Sequence, residues 1–70
     1  MKIIDLHGIK HQDVEGIVTQ ACGGRDIPFV VITGHSRRMK DLVAAAASHF
    51  ELSVRDTINN PGRVIVDENR

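Results

Sequence analysis

The sequence is poor in aromatic side chains: it has no tryptophan, no tyrosine and only two phenylalanines. That argues against a binding mode in which nucleic-acid bases stack on an aromatic platform. It has one cysteine, Cys22, so no disulfide can close within the chain and no thiolate metal framework is encoded. A reducing, cytoplasmic setting fits such usage. No charge is in excess, since nine Lys and Arg stand against nine Asp and Glu. A chain-wide basic field is therefore missing, and attraction to a polyanion must be local. Long apolar runs are missing too. The Met1-Lys2 opening carries no apolar signal-like segment, and every apolar stretch falls far short of the ~20 residues that span a membrane. At 70 residues the chain is one small domain, and a chain of this size buries only about 60% of its unfolded surface. Binding a partner or a second copy would add stability.

What is present begins with Ile3-Ile4-Asp5-Leu6-His7-Gly8. It reads as a short strand, with Ile3, Asp5 and His7 on one face and Ile4 and Leu6 on the other. Two aliphatic side chains enter a core, while a carboxylate and an imidazole share the opposite face. Residues two apart on a strand are about 6.6 Å apart, a spacing suited to gripping one phosphate or one water. Gly8 permits a sharp exit and close approach of a ligand to the backbone. The same pattern also fits a solvated strand with one buried face.

Val14, Ile17, Val18 and Ala21 then recur at i, i+3, i+4 and i+7, the stripe of an amphipathic helix. Gly23-Gly24 stops it, with Cys22 as a small residue near its end. Arg25-Asp26 reads as a turn. Phe29-Val30-Val31-Ile32-Thr33 reads as a central strand buried on both sides or nearly so. Strand, helix and strand with a connection of this length make a βαβ unit with parallel strands. Ser36 is placed to cap a second helix, whose stripe of Met39, Leu42, Val43 and Ala46 continues to Phe50. Leu52-Ser53-Val54 alternates like a strand, Asn59-Asn60-Pro61-Gly62 reads as a turn, and Arg63 to Asp67 reads as a last strand. The last two strands are expected to pair antiparallel across a longer loop, and Glu68-Asn69-Arg70 reads as a frayed tail. The fold class is α/β: a two-layer β-α-β-α-β-β domain over residues 1–70 with a four-stranded mixed sheet. With both helices on one face, the face of Asp5 and His7 stays open to solvent, to a ligand or to a second copy.

In parallel α/β sheets, ligands gather at the carboxyl ends of the strands. His7-Gly8 ends the first strand, and Thr33-Gly34-His35-Ser36 ends the second. If these strands are neighbours, the two loops meet at the N-terminus of the second helix, where free N–H groups favour an anion. Arg37 and Arg38 stand in the first turn of that helix, against its dipole, and Lys40 follows. A bound polyanion would remove that conflict, as would side chains that swing into water. A phosphate reading takes Gly8, Lys10, Thr33, Gly34, Ser36, Arg37, Arg38 and Lys40 as binding residues and Asp5, His7 and His35 as catalytic ones. Two imidazoles suit acid–base work at a phosphodiester, with the arginines stabilising charge on the phosphoryl oxygens. No metal is needed if the attacking group is the 2′-hydroxyl of RNA. A divalent metal held by Asp5, His7 and His35 is the competing reading. His11 and His49 read as surface or helix-end residues.

At these residues the chain resembles the Smr (small MutS-related) domain family. Ile4-Asp5-Leu6-His7-Gly8 is similar to that family's leucine-aspartate-leucine-histidine-glycine opening. Val31-Ile32-Thr33-Gly34-His35-Ser36, a helix with Leu42, and the Gly62 to Val66 strand continue the likeness, so that it covers nearly the whole chain as a minimal stand-alone member. The resemblance implies a fold similar to the C-terminal domain of bacterial translation initiation factor three. It also implies nucleic-acid binding, RNA before DNA, and in many members endonuclease activity, including on messenger RNA at ribosomes. It carries Asp5, His7, Thr33, Gly34, His35 and Ser36 into the site. One departure stands out: Thr33-Gly34 runs straight into His35-Ser36, where members have threonine-glycine-x-glycine, so backbone N–H groups that hold a phosphate are missing. The expected function is RNA cleavage, or nicking of DNA, by histidine acid–base chemistry. The alternatives are a non-catalytic nucleic-acid- or ribosome-binding module and a protein-interaction module, such as a homodimer on the open face.

Overall fold

The computed structural model describes residues 2–24, 27–57 and 59–68. The element order is β1 (Lys2–Asp5), α1 (His11–Gly23), β2 (Phe29–Ile32), α2 (Arg37–Ser48), β3 (Leu52–Thr57) and β4 (Asn60–Glu68). This is the expected α/β chain of β-α-β-α-β-β with a four-stranded mixed sheet. The sheet order is β1-β2-β4-β3. β1 and β2 pair in parallel, while β2 with β4 and β3 with β4 pair antiparallel. The expected Arg25-Asp26 turn and the Asn69-Arg70 tail lie outside the described residues.

Period two decides the layers. Phe29 and Val31 of β2 are buried, as are their register partners Val66 and Val64 of β4. These side chains join Val14, Val18, Ala21 and Cys22 of α1 and Met39, Val43, Ala46 and Ala47 of α2 in one core. The helical stripes read from the sequence supply that packing, with Ile17 and Leu42 half-buried at its margin. The other sheet face carries Ile3, Asp5, Val30, Ile32, Arg63 and Ile65, all exposed or half-buried.

Several sequence expectations are corrected. β2 is central but buried on one side only: Val30 and Ile32 are half-buried, because both helices pack on the other face. The hydrophobic stripe does not run to Phe50. α2 ends at Ser48, whose Oγ donates to the Ala45 carbonyl at 2.7 Å. Phe50 lies in the turn beyond, 39% exposed, where the chain reverses through Glu51 at φ = +59°. Asn60-Pro61-Gly62 is the start of β4 rather than a turn. The β3–β4 connection is short rather than long, with Thr57 paired to Asn60 and the Thr57 hydroxyl donating to the Asn60 carbonyl. A register shift at Asp56 and Thr57 absorbs the irregularity, and Pro61 sits at such a strand start, where a missing N–H is tolerated. Glu68 belongs to β4 and not to a frayed tail.

Candidate functional site

The site is built from the ends of β1 and β2. Their pairing continues one residue past β1, with the Leu6 N–H donating to the Ile32 carbonyl at 3.1 Å. Leu6 is buried and anchors the chain. Beyond it the strand stops short of the sequence reading, and the cause is local. Asp5 Oδ1 accepts the His7 N–H at 2.8 Å, as short carboxylate side chains do at turns. The Leu6 carbonyl accepts the Ile9 N–H at 3.0 Å, and Gly8 takes φ = +78°. A four-residue turn with glycine at its second central position is of type II. His7 is therefore not the last residue of the Ile3, Asp5 face. It stands exposed at the first central position of a turn, held through its backbone by Asp5.

The second loop is anchored from beneath. The Thr33 and Gly34 N–H groups both donate to the Gly62 carbonyl, each at 2.9 Å. Thr33 is 7% exposed, and its hydroxyl lies 3.0 Å from the Gly34 carbonyl and 3.4 Å from the Gly62 carbonyl, donating within the fold. Thr33 was read as a phosphate ligand; its hydroxyl is committed inside and it shapes the loop. Gly34, at φ = +66°, turns the chain outward, so that His35 is exposed. Ser36 caps α2 as expected: its Oγ accepts the Met39 N–H at 3.1 Å. The residue that sequence reasoning missed is Gly62. It is buried, and a Cβ there would stand 3.3 Å from Asn60 Oδ1 and 3.6 Å from the Gly34 Cα. Its glycine was legible, but it was assigned to a turn rather than to a seat for the second loop.

The basic residues divide between two grooves. His35, Arg37 and Lys40 line one between α2 and β3, together with Asp41 and Asp56. Lys10, His11 and Arg38 line another between the N-terminal turns of α1 and α2, with Glu15 and Leu42. Asp5 and His7 line neither. Two of the cations have carboxylate partners. Arg37 Nε lies 3.4 Å from Asp41 Oδ1, four residues on, and Lys40 Nζ lies 3.3 Å from Asp56 Oδ1. The Arg37–Asp41 pair is largely solvent-exposed, so it contributes under about 1 kcal/mol and is readily broken. In the second pair Asp56 is open to water, but the Lys40 side chain is only 21% exposed. Arg38 and Lys10 have no such pair among the described residues.

The parallel strands thus carry His7-Gly8 and Gly34-His35-Ser36 to the same end of the sheet, where α2 begins. Among the described residues no three His, Cys, Asp or Glu side chains gather as a metal would need, so the Asp5, His7 and His35 set is not assembled as a facial triad. Cys22 is buried in the core, and burial pushes its thiol up, which suits a packing residue and not a nucleophile. No helix is long and apolar enough to cross a membrane among the described residues. Comparisons with protein-family models, curated proteins and solved structures gave no match.

Proposed function

We propose that the chain is a nucleic-acid-binding domain of Smr type, similar in fold to the C-terminal domain of translation initiation factor three, and that it cleaves RNA or nicks DNA. The observation that supports this most is the parallel pairing of β1 with β2, which sends the two motif loops out of the same sheet end beside a helix N-terminus. On this reading Asp5 fixes the His7 turn through the backbone N–H, and the exposed imidazole takes the proton from the attacking 2′-hydroxyl. The 2′-oxygen bonds to phosphorus, the bond to the 5′-oxygen breaks, and His35 or a water protonates the leaving oxygen. Arg37, Arg38, Lys10 and Lys40 hold the flanking phosphates, with Gly8, Gly34 and Ser36 presenting backbone and hydroxyl groups. The deciding experiment incubates wild type and His7→Ala with labelled RNA and DNA, with and without chelator, and examines product ends. A cyclic phosphate formed in chelator and lost in His7→Ala is the expected result. Full cleavage by His7→Ala ends the assignment, and a strictly metal-dependent 5′-phosphate product overturns the 2′-hydroxyl route.

The division of cations between two grooves, and the ion pairs of Arg37 and Lys40, favour a second reading. In it the chain binds nucleic acid or ribosomal RNA without cutting it. Binding is then salt-dependent and lost in the Arg37→Ala/Arg38→Ala double variant, and no product forms on any substrate after long incubation.

A further inference from the structure

The open face of the sheet carries its side chains in register rows. Asp5, Ile32 and Arg63 form one row. Ile3, Val30, Ile65 and Arg55 form the next, and Asp67 with Ser53 forms a third. The middle of this face is apolar: Ile3 is 56% exposed, and Val30, Ile32 and Ile65 are half-buried on the side away from the helices. Four charged side chains border it. Two of them satisfy each other, Arg55 Nη2 lying 3.7 Å from Asp67 Oδ2. Asp5 and Arg63 have no ion-pair partner among the described residues. They sit two strands apart, a separation of about 10 Å between backbones. One oxygen of Asp5 is taken by the His7 N–H, which leaves the other for a cation.

We propose that this face binds a second copy of the chain about a two-fold axis running along β2. β1 and β4 are the two neighbours of β2, so such an axis lays β1 of one copy over β4 of the other, row for row. Asp5 then faces the partner's Arg63, and Arg63 faces the partner's Asp5. Ile3 faces the partner's Ile65, and Val30 and Ile32 each meet their own counterparts on the axis. The contact is isologous, as a closed dimer requires, and it stacks two sheets in the aligned manner of a sandwich about 10 Å thick. Charge selects the occupant. An acidic peptide is repelled by Asp5 and a basic one by Arg63, whereas a second copy answers both with opposite sign and covers the apolar row with an apolar row. Three strands of short length make a contact at the small end of the specific range, so the dimer is weak and reversible. This inference does not rest on nuclease activity, since association is read without nucleic acid.

The test is sedimentation velocity on the full chain over a concentration series, with circular dichroism to check folding. Wild type shows a monomer–dimer equilibrium that salt weakens. Asp5→Lys and Arg63→Glu each shift the midpoint upward by at least about tenfold, because like charges then face each other twice. An equimolar mixture of the two variants regains association: the introduced lysine meets the introduced glutamate on one side, and native Arg63 meets native Asp5 on the other. A misfolded variant gives no such rescue. Ile3→Lys, at an exposed edge position, weakens association with the fold intact. A wild-type chain that stays monomeric up to about 1 mM, where even millimolar affinity shows, overturns the proposal. So does a mixture that associates no better than either variant alone.

Discussion

At Gly34 the backbone takes φ = +66° and a Cβ would meet nothing within 4 Å. The cost of a side chain there is torsional and not steric, since L-residues pay about 1–2 kcal/mol in the left-handed region. Gly34→Ala is expected to lower stability by about that much in urea unfolding, and Gly34→Asn by less, because asparagine tolerates this conformation. Equal losses for the two would point to a clash and contradict the open space. Cys22 offers a residue-scale test of a different kind. Burial raises its thiol pKa, so the unfolded chain ionises first as pH rises. The contribution is therefore complete below the ordinary thiol pKa and falls as pH climbs through about 8.5 and above. Comparing urea unfolding of wild type and Cys22→Ala at neutral and alkaline pH isolates this: the variant loses the part of the alkaline decline that Cys22 supplies. An identical decline in both proteins would show that the thiol is not desolvated.

The two helices begin differently, and that difference separates stability from function. α2 is capped by Ser36. α1 begins after Lys10, whose backbone is extended and whose side chain makes no capping hydrogen bond. Lys10→Asp supplies a cap and is expected to stabilise the fold by about 1 kcal/mol. Arg38→Glu replaces a cation by an anion in a first turn that has no acidic residue, and is expected to add about 0.5 kcal/mol. If these cations hold phosphates, both variants melt higher and bind RNA more weakly, and each reduces the log–log salt slope by about one. Unchanged affinity would remove Lys10 and Arg38 from the interface. At this scale the sequence was most readable. Both helical stripes and the parallel β1–β2 pair follow from periodicity and connection length, because a core only needs apolar side chains at the right period. The β1 terminus was not readable as a strand count. Asp5 spends its carboxylate on the His7 N–H, which converts two expected strand residues into a turn. Asn60-Pro61-Gly62 has the composition of a turn, yet the pairing of Asn60 with Thr57 of β3 and the seat that Gly62 gives Thr33 and Gly34 hold it extended. The Arg37–Asp41 pair has a legible i, i+4 spacing. The Lys40–Asp56 pair had none, since it exists only once β3 lies beside α2.

The whole molecule is a sheet with one covered face and one open face, and β4 lets the two be compared one residue apart. Val64 is 1% exposed in the core, while Ile65 is half-buried on the open side, because a step of one residue reverses the face. A chain of this length has a total stability of roughly 4–10 kcal/mol at about 0.05–0.15 kcal/mol per residue. Val64→Ala removes two methyl groups from a packed interior, at a cost of about 2–3 kcal/mol once the cavity is included. That is a large share of the total, and it is the same at every protein concentration as long as only the monomer is unfolding. Ile65→Ala removes more atoms but from a face that water already reaches, so in dilute solution it costs less than Val64→Ala. The two substitutions part company as concentration rises. A dimer that uses the open face stabilises the folded state by mass action, and Ile65 is then covered by the partner's Ile3. The melting temperature of wild type and of Val64→Ala therefore climbs with protein concentration, while that of Ile65→Ala climbs less. Parallel melting curves for all three, at concentrations from micromolar to millimolar, would leave the open face facing water and return Asp5 and Arg63 to the solvent.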